Sequence, residues 1–563
     1  MSTTLVVNGR LFTPAGVLDE PLLLSGGRIA AIGDAARDAA SAAGSRPAEL
    51  DAAGGLVLPG FQDCHAHPHH AGLDILSCDL SQHTTREEYL GLIGDHAAAT
   101  AASGEEWVTG GGWSMDAFPG GIATAADLDA VVGDRPAYFP TRDGHTAWVS
   151  SAALRLAGVT RDTPDPADGR IERDAAGEPV GTLQEGAMRI VAQHVPLATQ
   201  DDLDAAMRMA QQRLFAWGVT GWQDAIVGAT NEVPDTLDSY LRLVASGELK
   251  ARVVGALWWD RTRGLEQVEE LVAKRERAAA AGFRATAVKI MQDGVAENFT
   301  AGMLEPYLDA CGCPTGNAGK SFVDPEVLRE ACTRLDALGF QLHVHALGDR
   351  AVREALDGVE AARRANGPRD ARHTLAHIQV VHPDDVPRFA ELGVVANMQP
   401  LWARHEAQMD ELTIPFLGAR RAVNQYPFGS LHRAGAALAS GSDWPVSTAN
   451  PLEIVHTAVN RARVASDGRW LAPFLGEQAL SLADALTAHT LGTAHLNFDE
   501  AHSGSLEVGK AADVVVLDRD PFAHPLPEIG LARVTTTLVG GEVVFDATST
   551  ASPTGGPQTA GAR

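Results

Sequence analysis

Gly55-Leu56-Val57-Leu58-Pro59-Gly60-Phe61 leads into Asp63-Cys64-His65-Ala66-His67. The apolar run reads as a short buried strand, and two imidazoles stand at its C-terminal end. In extended backbone, residues i and i+2 point to the same side, so His65 and His67 can offer ring nitrogens to one cation. Cys64 points the other way and reads as packing. With 20 histidines in the chain, an H-x-H pair also arises by chance or as a solvated cluster. It gains meaning only through partners elsewhere.

Along the rest of the chain, short apolar strands alternate with helical stretches. After the strand ending at His65 come Val219 to Asp224, Arg252 to Trp258, Ala285 to Met291, Phe340 to His345, His373 to Gln379, Gly393 to Met398 and Ala436 to Ser442. Eight such units predict an α/β fold, a (β/α)8 TIM-like barrel whose active site gathers at the strands' C-terminal ends. The barrel is expected over 56–503, with an insertion after the first strand at about 80–215. Period-two segments at both ends, such as Thr4-Leu5-Val6-Val7 and Val514-Val515-Val516-Leu517, predict a small β-sandwich built from 1–55 and 504–546. Residues 547–563, rich in Ser, Thr, Gly, Pro and Ala, read as a frayed tail.

Composition narrows the function classes. The chain has 563 residues, with 45 Lys and Arg against 72 Asp and Glu, for a formal charge of −27. That balance disfavours nucleic acid and anionic membrane surfaces as partners. The N-terminus lacks a basic segment followed by an apolar one, and no apolar run approaches membrane-spanning length, so a cytoplasmic protein is expected. Five cysteines, unevenly placed, do not make a disulfide framework. Cys311-Gly312-Cys313 could bind metal or pair, but without a second cysteine pair it reads as a loop coincidence.

A barrel brings strand ends together, and the other strands supply donors there. Leu342-His343-Val344-His345-Ala346-Leu347-Gly348-Asp349 ends the fifth, His377 lies in the sixth, and Gly441-Ser442-Asp443-Trp444 follows the eighth. A carboxylate at that point can ligate a metal and exchange a proton with water.

This order of motifs resembles the amidohydrolase superfamily over nearly the whole chain. His345-Ala346-Leu347-Gly348-Asp349, Lys289-Ile290-Met291-Gln292-Asp293-Gly294 and Gly441-Ser442-Asp443-Trp444-Pro445-Val446 look like the branch containing N-substituted formamide deformylases. The resemblance implies a metal-dependent hydrolase acting on a non-peptide carbon–nitrogen bond. It implies His65, His67, Lys289, His345, His377 and Asp443 as metal ligands for one or two divalent ions, with zinc the first choice. Asp443 doubles as the proton shuttle for water whose pKa falls from 15.7 to roughly 7 at a favourable zinc site. Lys289 ends the fourth strand, where family members with a bridging lysine carry a carbamate. The alternative is an unmodified lysine paired with Asp293 or Glu297. The histidine just before Ala346 matches the family pattern, leaving His343 as support or packing. His373 likewise reads as structural, and His69 and His70 as solvated or pocket-lining.

Recognition of a small amide-like substrate is assigned to Trp113, Met115, His145 and Trp402. His145, in Asp143-Gly144-His145, could hydrogen-bond a carbonyl oxygen or simply bond neighbouring backbone. Trp113, Phe118 and Trp148 could cover the barrel mouth, though they read more readily as the insertion's own core. A deaminase of a ring or amidine carbon and a non-catalytic barrel that binds small molecules are the alternative functions. Homo-oligomerisation is compatible with the sequence.

Overall fold

The computed structural model describes residues 3–42, 46–230, 233–464 and 469–549. The predicted tail therefore lies almost wholly outside the described residues. Eight parallel strands form the centre: β1 (Phe61–Ala66), β2 (Val219–Val227), β3 (Arg252–Trp258), β4 (Arg284–Met291), β5 (Gln341–Ala346), β6 (Thr374–His377), β7 (Val395–Met398) and β8 (Leu438–Ser440). Each pairs with its neighbour in sequence from β1 to β8, the topology of a TIM-like barrel. The ring closes through chain just beyond β8. Asp443 N donates to His65 O at 2.7 Å, and His67 N donates to Trp444 O at 2.8 Å. Gly441 passes so near β1 that a Cβ there would lie 2.8 Å from His65 N, so no larger residue fits.

Alternation along each strand decides which side chains reach the barrel interior. In β5 all six residues are buried, but only Leu342, Val344 and Ala346 join the large apolar core. Gln341, His343 and His345 occupy the other face. Cys64, read as packing, is buried with Val395, Ala439 and Leu496.

The apolar run before the histidines is two elements rather than one strand. Leu56–Pro59 pairs with Arg10–Leu11 and with Val514–Val516, and the barrel begins only at Phe61. The chain termini thus build two sheets. One is four-stranded from residues 3–51, and the other is six-stranded from segments of both ends. They share an apolar cluster that includes Val6, Leu22, Val57, Val514 and Leu538.

The insertion carries a sheet that the sequence did not reveal, six short strands between Cys78 and Glu185. Helix Gln200–Ala216 is not part of it. Met207, Ala210 and Leu214 of that helix pack into the barrel core. Trp113, Phe118 and Trp148 meet edge to face, with ring centroids 5.0–5.8 Å apart, and Trp113 Nε1 donates to Phe139 O at 2.8 Å. Trp113 is 0% and Met115 4% exposed in this core. Both pack in the insertion's core and neither lines the cavity at the barrel mouth, which places them away from the recognition role read from the sequence. Among the described residues no helix is long and apolar enough to cross a membrane.

Candidate active site

The barrel's C-terminal mouth opens into a cavity of about 1100 Å³ lined by residues of β1 to β6, the chain after β8 and the insertion. His65, His67, Lys289, His345, His377, Asp443 and His145 all line it. A smaller cavity of about 580 Å³, lined only by residues between Leu5 and Glu49, holds none of these groups.

Three donors converge most closely. Ligand atoms of His65, His67 and Asp443 all lie within 4.8 Å of one another. Asp443 Oδ1 is 2.8 Å from His67 Nε2 and 3.2 Å from His65 Nε2, while Oδ2 is 3.8 Å from His377 Nδ1. His377 in turn adjoins His345, with centroids 4.4 Å apart. The set fits a divalent cation on chemical grounds. Imidazole and carboxylate suit zinc and its neighbours, and His67 Nδ1, His345 Nε2 and His377 Nδ1 are buried with no hydrogen-bond partner. Unpaired buried polar atoms are costly unless something else engages them.

Burial pushes the His65, His345 and His377 rings well below ordinary histidine, and the neighbouring cationic Lys289 acts in the same direction. They are neutral, which a ligating imidazole must be. Burial opposes ionisation of Asp443, but the His67 hydrogen bond and the facing His377, His67 and Lys289 outweigh it and hold the carboxyl at about 2. Burial likewise lowers Lys289 to about 8, against the pull of Asp443 and Asp224. Its Nζ lies 3.1 Å from His65 Nε2. An ammonium there occupies the lone pair a metal would need and cannot itself ligate.

Backbone geometry aims these groups. His377 and Asp443 both have positive φ, 76° and 57°, a conformation that non-glycine residues avoid and that concentrates at functional sites. His377 N donates to Gln399 Oε1 at 2.9 Å, holding that bend. Trp402 does not line the cavity. It stacks on the His377 ring with centroids 5.4 Å apart, which places it behind a cavity residue and not at the cavity wall.

Several contributing residues carried no motif. Glu185 accepts from His145 Nδ1 at 2.9 Å and from Thr300 Oγ1 at 2.8 Å, while Asn298 Nδ2 donates to His145 O at 3.1 Å. The loop after β4 thereby fastens the insertion over the mouth. Burial lowers His145, but Glu185 overrides it and raises the ring to about 9. Asp293 accepts from Leu347, Gly348 and Gly302 N at 2.8–3.0 Å and fixes the chain after β5, so it is not free to pair with Lys289. His373 bonds Leu342 N and Asp336 and is structural. His69 is buried against Tyr240 at 4.9 Å, while His70 lines the cavity.

A model of the amidohydrolase family matches residues 48–545. Protein LONG AFTER FAR-RED 3 of Arabidopsis thaliana is 32% identical over 96% of this chain and 91% of its own length. The N-substituted formamide deformylase of Arthrobacter pascens is 28% identical over 94% and 95%. An uncharacterised metal-dependent hydrolase of Pyrococcus furiosus superposes with a TM-score of 0.67 at 26% identity, covering 92% of this chain and 99% of that one. The converging donors, their place at the barrel mouth and a match spanning most of the sequence agree: the chain belongs to the amidohydrolase family and is a metal-dependent hydrolase of carbon–nitrogen bonds.

Proposed function

We propose that this enzyme hydrolyses a small non-peptide amide, with an N-substituted formamide as the substrate class. The convergence of His65, His67 and Asp443 within 4.8 Å, in one cavity with His145, carries this reading. The activity named for the Arthrobacter relative supports a formyl acyl group. Leu73, Met188, Val195 and Val233 offer an apolar wall for the nitrogen substituent.

His65, His67, His345, His377 and Asp443 would hold one or two ions, zinc by our proposal. Lys289 would join them as a carbamate, formed when its neutral amine adds carbon dioxide and releases a proton. Bound there, the ion supplies Lewis acidity towards a carbonyl and towards water. Asp443, anionic at neutral pH, takes the proton of the attacking water and returns it to the leaving nitrogen. His145 donates from its free Nε2 to the carbonyl oxygen as charge develops there. We assign the enzyme to the cytoplasm, with the small-molecule substrate as its partner.

The test is a product screen by mass spectrometry with zinc-reconstituted protein across formamides, longer acyl amides and amino-heterocycles. Formate release with formamides preferred is the expected result. Ammonia from the heterocycles without formate would replace this reading with deamination, and no turnover of any class would leave a binding protein.

Glu185→Gln tests the role of His145. Its cationic form is the active one, so activity in the parent falls as pH rises through about 9. Without the Glu185 charge, burial lowers the ring's pKa, and the alkaline fall in kcat/KM moves to lower pH. An unchanged profile would remove His145 from the mechanism.

A further inference from the structure

The interior of a TIM barrel is ordinarily filled with layers of branched apolar side chains. Here a polar column runs from the bottom of the barrel up to His65. Gln341, at the start of β5, donates from Nε2 to two backbone carbonyls, Arg372 O at 2.7 Å and Leu496 O at 2.9 Å. Carbonyl oxygens only accept, so the amide's orientation is fixed and Gln341 Oε1 must face the other way. Gln223 Nε2 donates to that oxygen at 2.9 Å and to Asn497 Oδ1 at 3.1 Å. This fixes the second amide, whose Oε1 faces His343 Nδ1 at 2.6 Å. An amide oxygen has no proton to give, so His343 Nδ1 carries one. At the upper end the Lys289 ammonium, which can only donate, lies 3.1 Å from His65 Nε2, so that nitrogen accepts and the His65 ring proton sits on Nδ1. The His343 Nε2 that faces it at 2.9 Å is therefore an acceptor.

We infer that Gln341, Gln223 and His343 form a relay that fixes the tautomer of His65, placing its proton on Nδ1 and leaving the Nε2 lone pair free for the metal. The hydrogen-bond directions are forced from both ends, by backbone carbonyls that cannot reverse below and by the Lys289 ammonium above. The opposite tautomer would aim an N–H at the metal position and set two acceptors against each other at His343. His343 and Gln223 are positioning residues, because they act on the ion only through His65. The inference rests on the metal-binding part of the proposed function and not on its substrate.

Neutron diffraction from crystals of the metal-free protein in heavy water reads the relay directly. Deuterons are expected on Nδ1 of both His65 and His343, with none on either Nε2. A deuteron on Nε2 of either ring overturns the inference. Zinc affinity, measured by competition with a chromophoric chelator, gives a second reading. His343→Leu and Gln223→Leu should each weaken zinc binding by about 10–100-fold, the range for losing a group that orients a ligating histidine. His343→Gln should recover most of that loss, since its Oε1 can accept from His65 while its Nε2 donates to Gln223. Leucine variants that fold, by circular dichroism and metal-free melting, yet bind zinc like the parent would overturn the relay. Should they fail to fold, the neutron map and His343→Gln decide. A parent that takes up no divalent ion would sink the metal assignment, while the neutron map would still decide the relay.

Discussion

Asp443→Asn should lower kcat by about 10²–10⁴-fold, the range for losing a positioned acid–base group, with little change in the protein's melting behaviour. Asparagine has the same shape, and its oxygen can still accept from His67 Nε2, now 2.8 Å from Asp443 Oδ1. What it lacks is the anionic oxygen that takes a proton. In the parent the carboxyl is held at about 2 against burial, with the His67 hydrogen bond on its anionic form. The loss should appear in kcat at saturating substrate, with zinc content measured alongside to separate lost proton transfer from lost metal. A variant that keeps its metal and more than about a tenth of parental kcat would exclude Asp443 as the shuttle, because it would fall outside the acid–base range.

The residues legible in the sequence are those whose chemistry coincides with a strand end. His65, His67, Lys289, His345, His377 and Asp443 all lie at or just beyond the C-terminal ends of barrel strands and line one cavity. Local periodicity locates such ends, and a parallel barrel gathers them without further information. Glu185 was not legible because it ends a strand of the insertion, whose own fold is set by packing between distant segments. Trp113 and Met115 look like pocket residues by composition, yet an aromatic side chain serves an insertion's core as readily as a substrate. The break at Gly60 was hidden for a related reason. Val57 and Phe61 are equally apolar, and only pairing with residues some 450 positions later assigns Leu56–Pro59 to the terminal sheets. Gln223 and Gln341 are unremarkable in sequence, since their importance lies in which end of each amide faces which neighbour.

Asp63→Ala should lower stability by about 3–5 kcal/mol, because it breaks a buried network at the seam of the barrel. Asp63 Oδ1 accepts from His65 N and Ser442 N, each at 3.0 Å, and Oδ2 accepts from Ser442 Oγ at 2.5 Å. Alanine would leave two buried backbone N–H groups unpaired, each worth roughly 1–3 kcal/mol, where β1 meets the chain beyond β8. Asp63→Asn separates the clamp from its charge. Burial already pushes the Asp63 carboxyl up to about 7, so a neutral group is tolerated there. The asparagine oxygen can accept from both N–H groups, while its Nδ2 faces Ser442 Oγ, which already accepts from Trp444 N at 2.9 Å and has a second lone pair to offer. Chemical denaturation should therefore place Asn near the parent and Ala far below it. Because the same carboxylate ties His65 to the residue preceding Asp443, the alanine variant should also hold zinc more weakly even under conditions where it is folded. An alanine variant within about 0.5 kcal/mol of the parent, the range of an ordinary surface substitution, would show that the barrel closes without this clamp. The two hydrogen bonds from Asp443 N and His67 N across the seam would then suffice to hold both ligand-bearing segments in register.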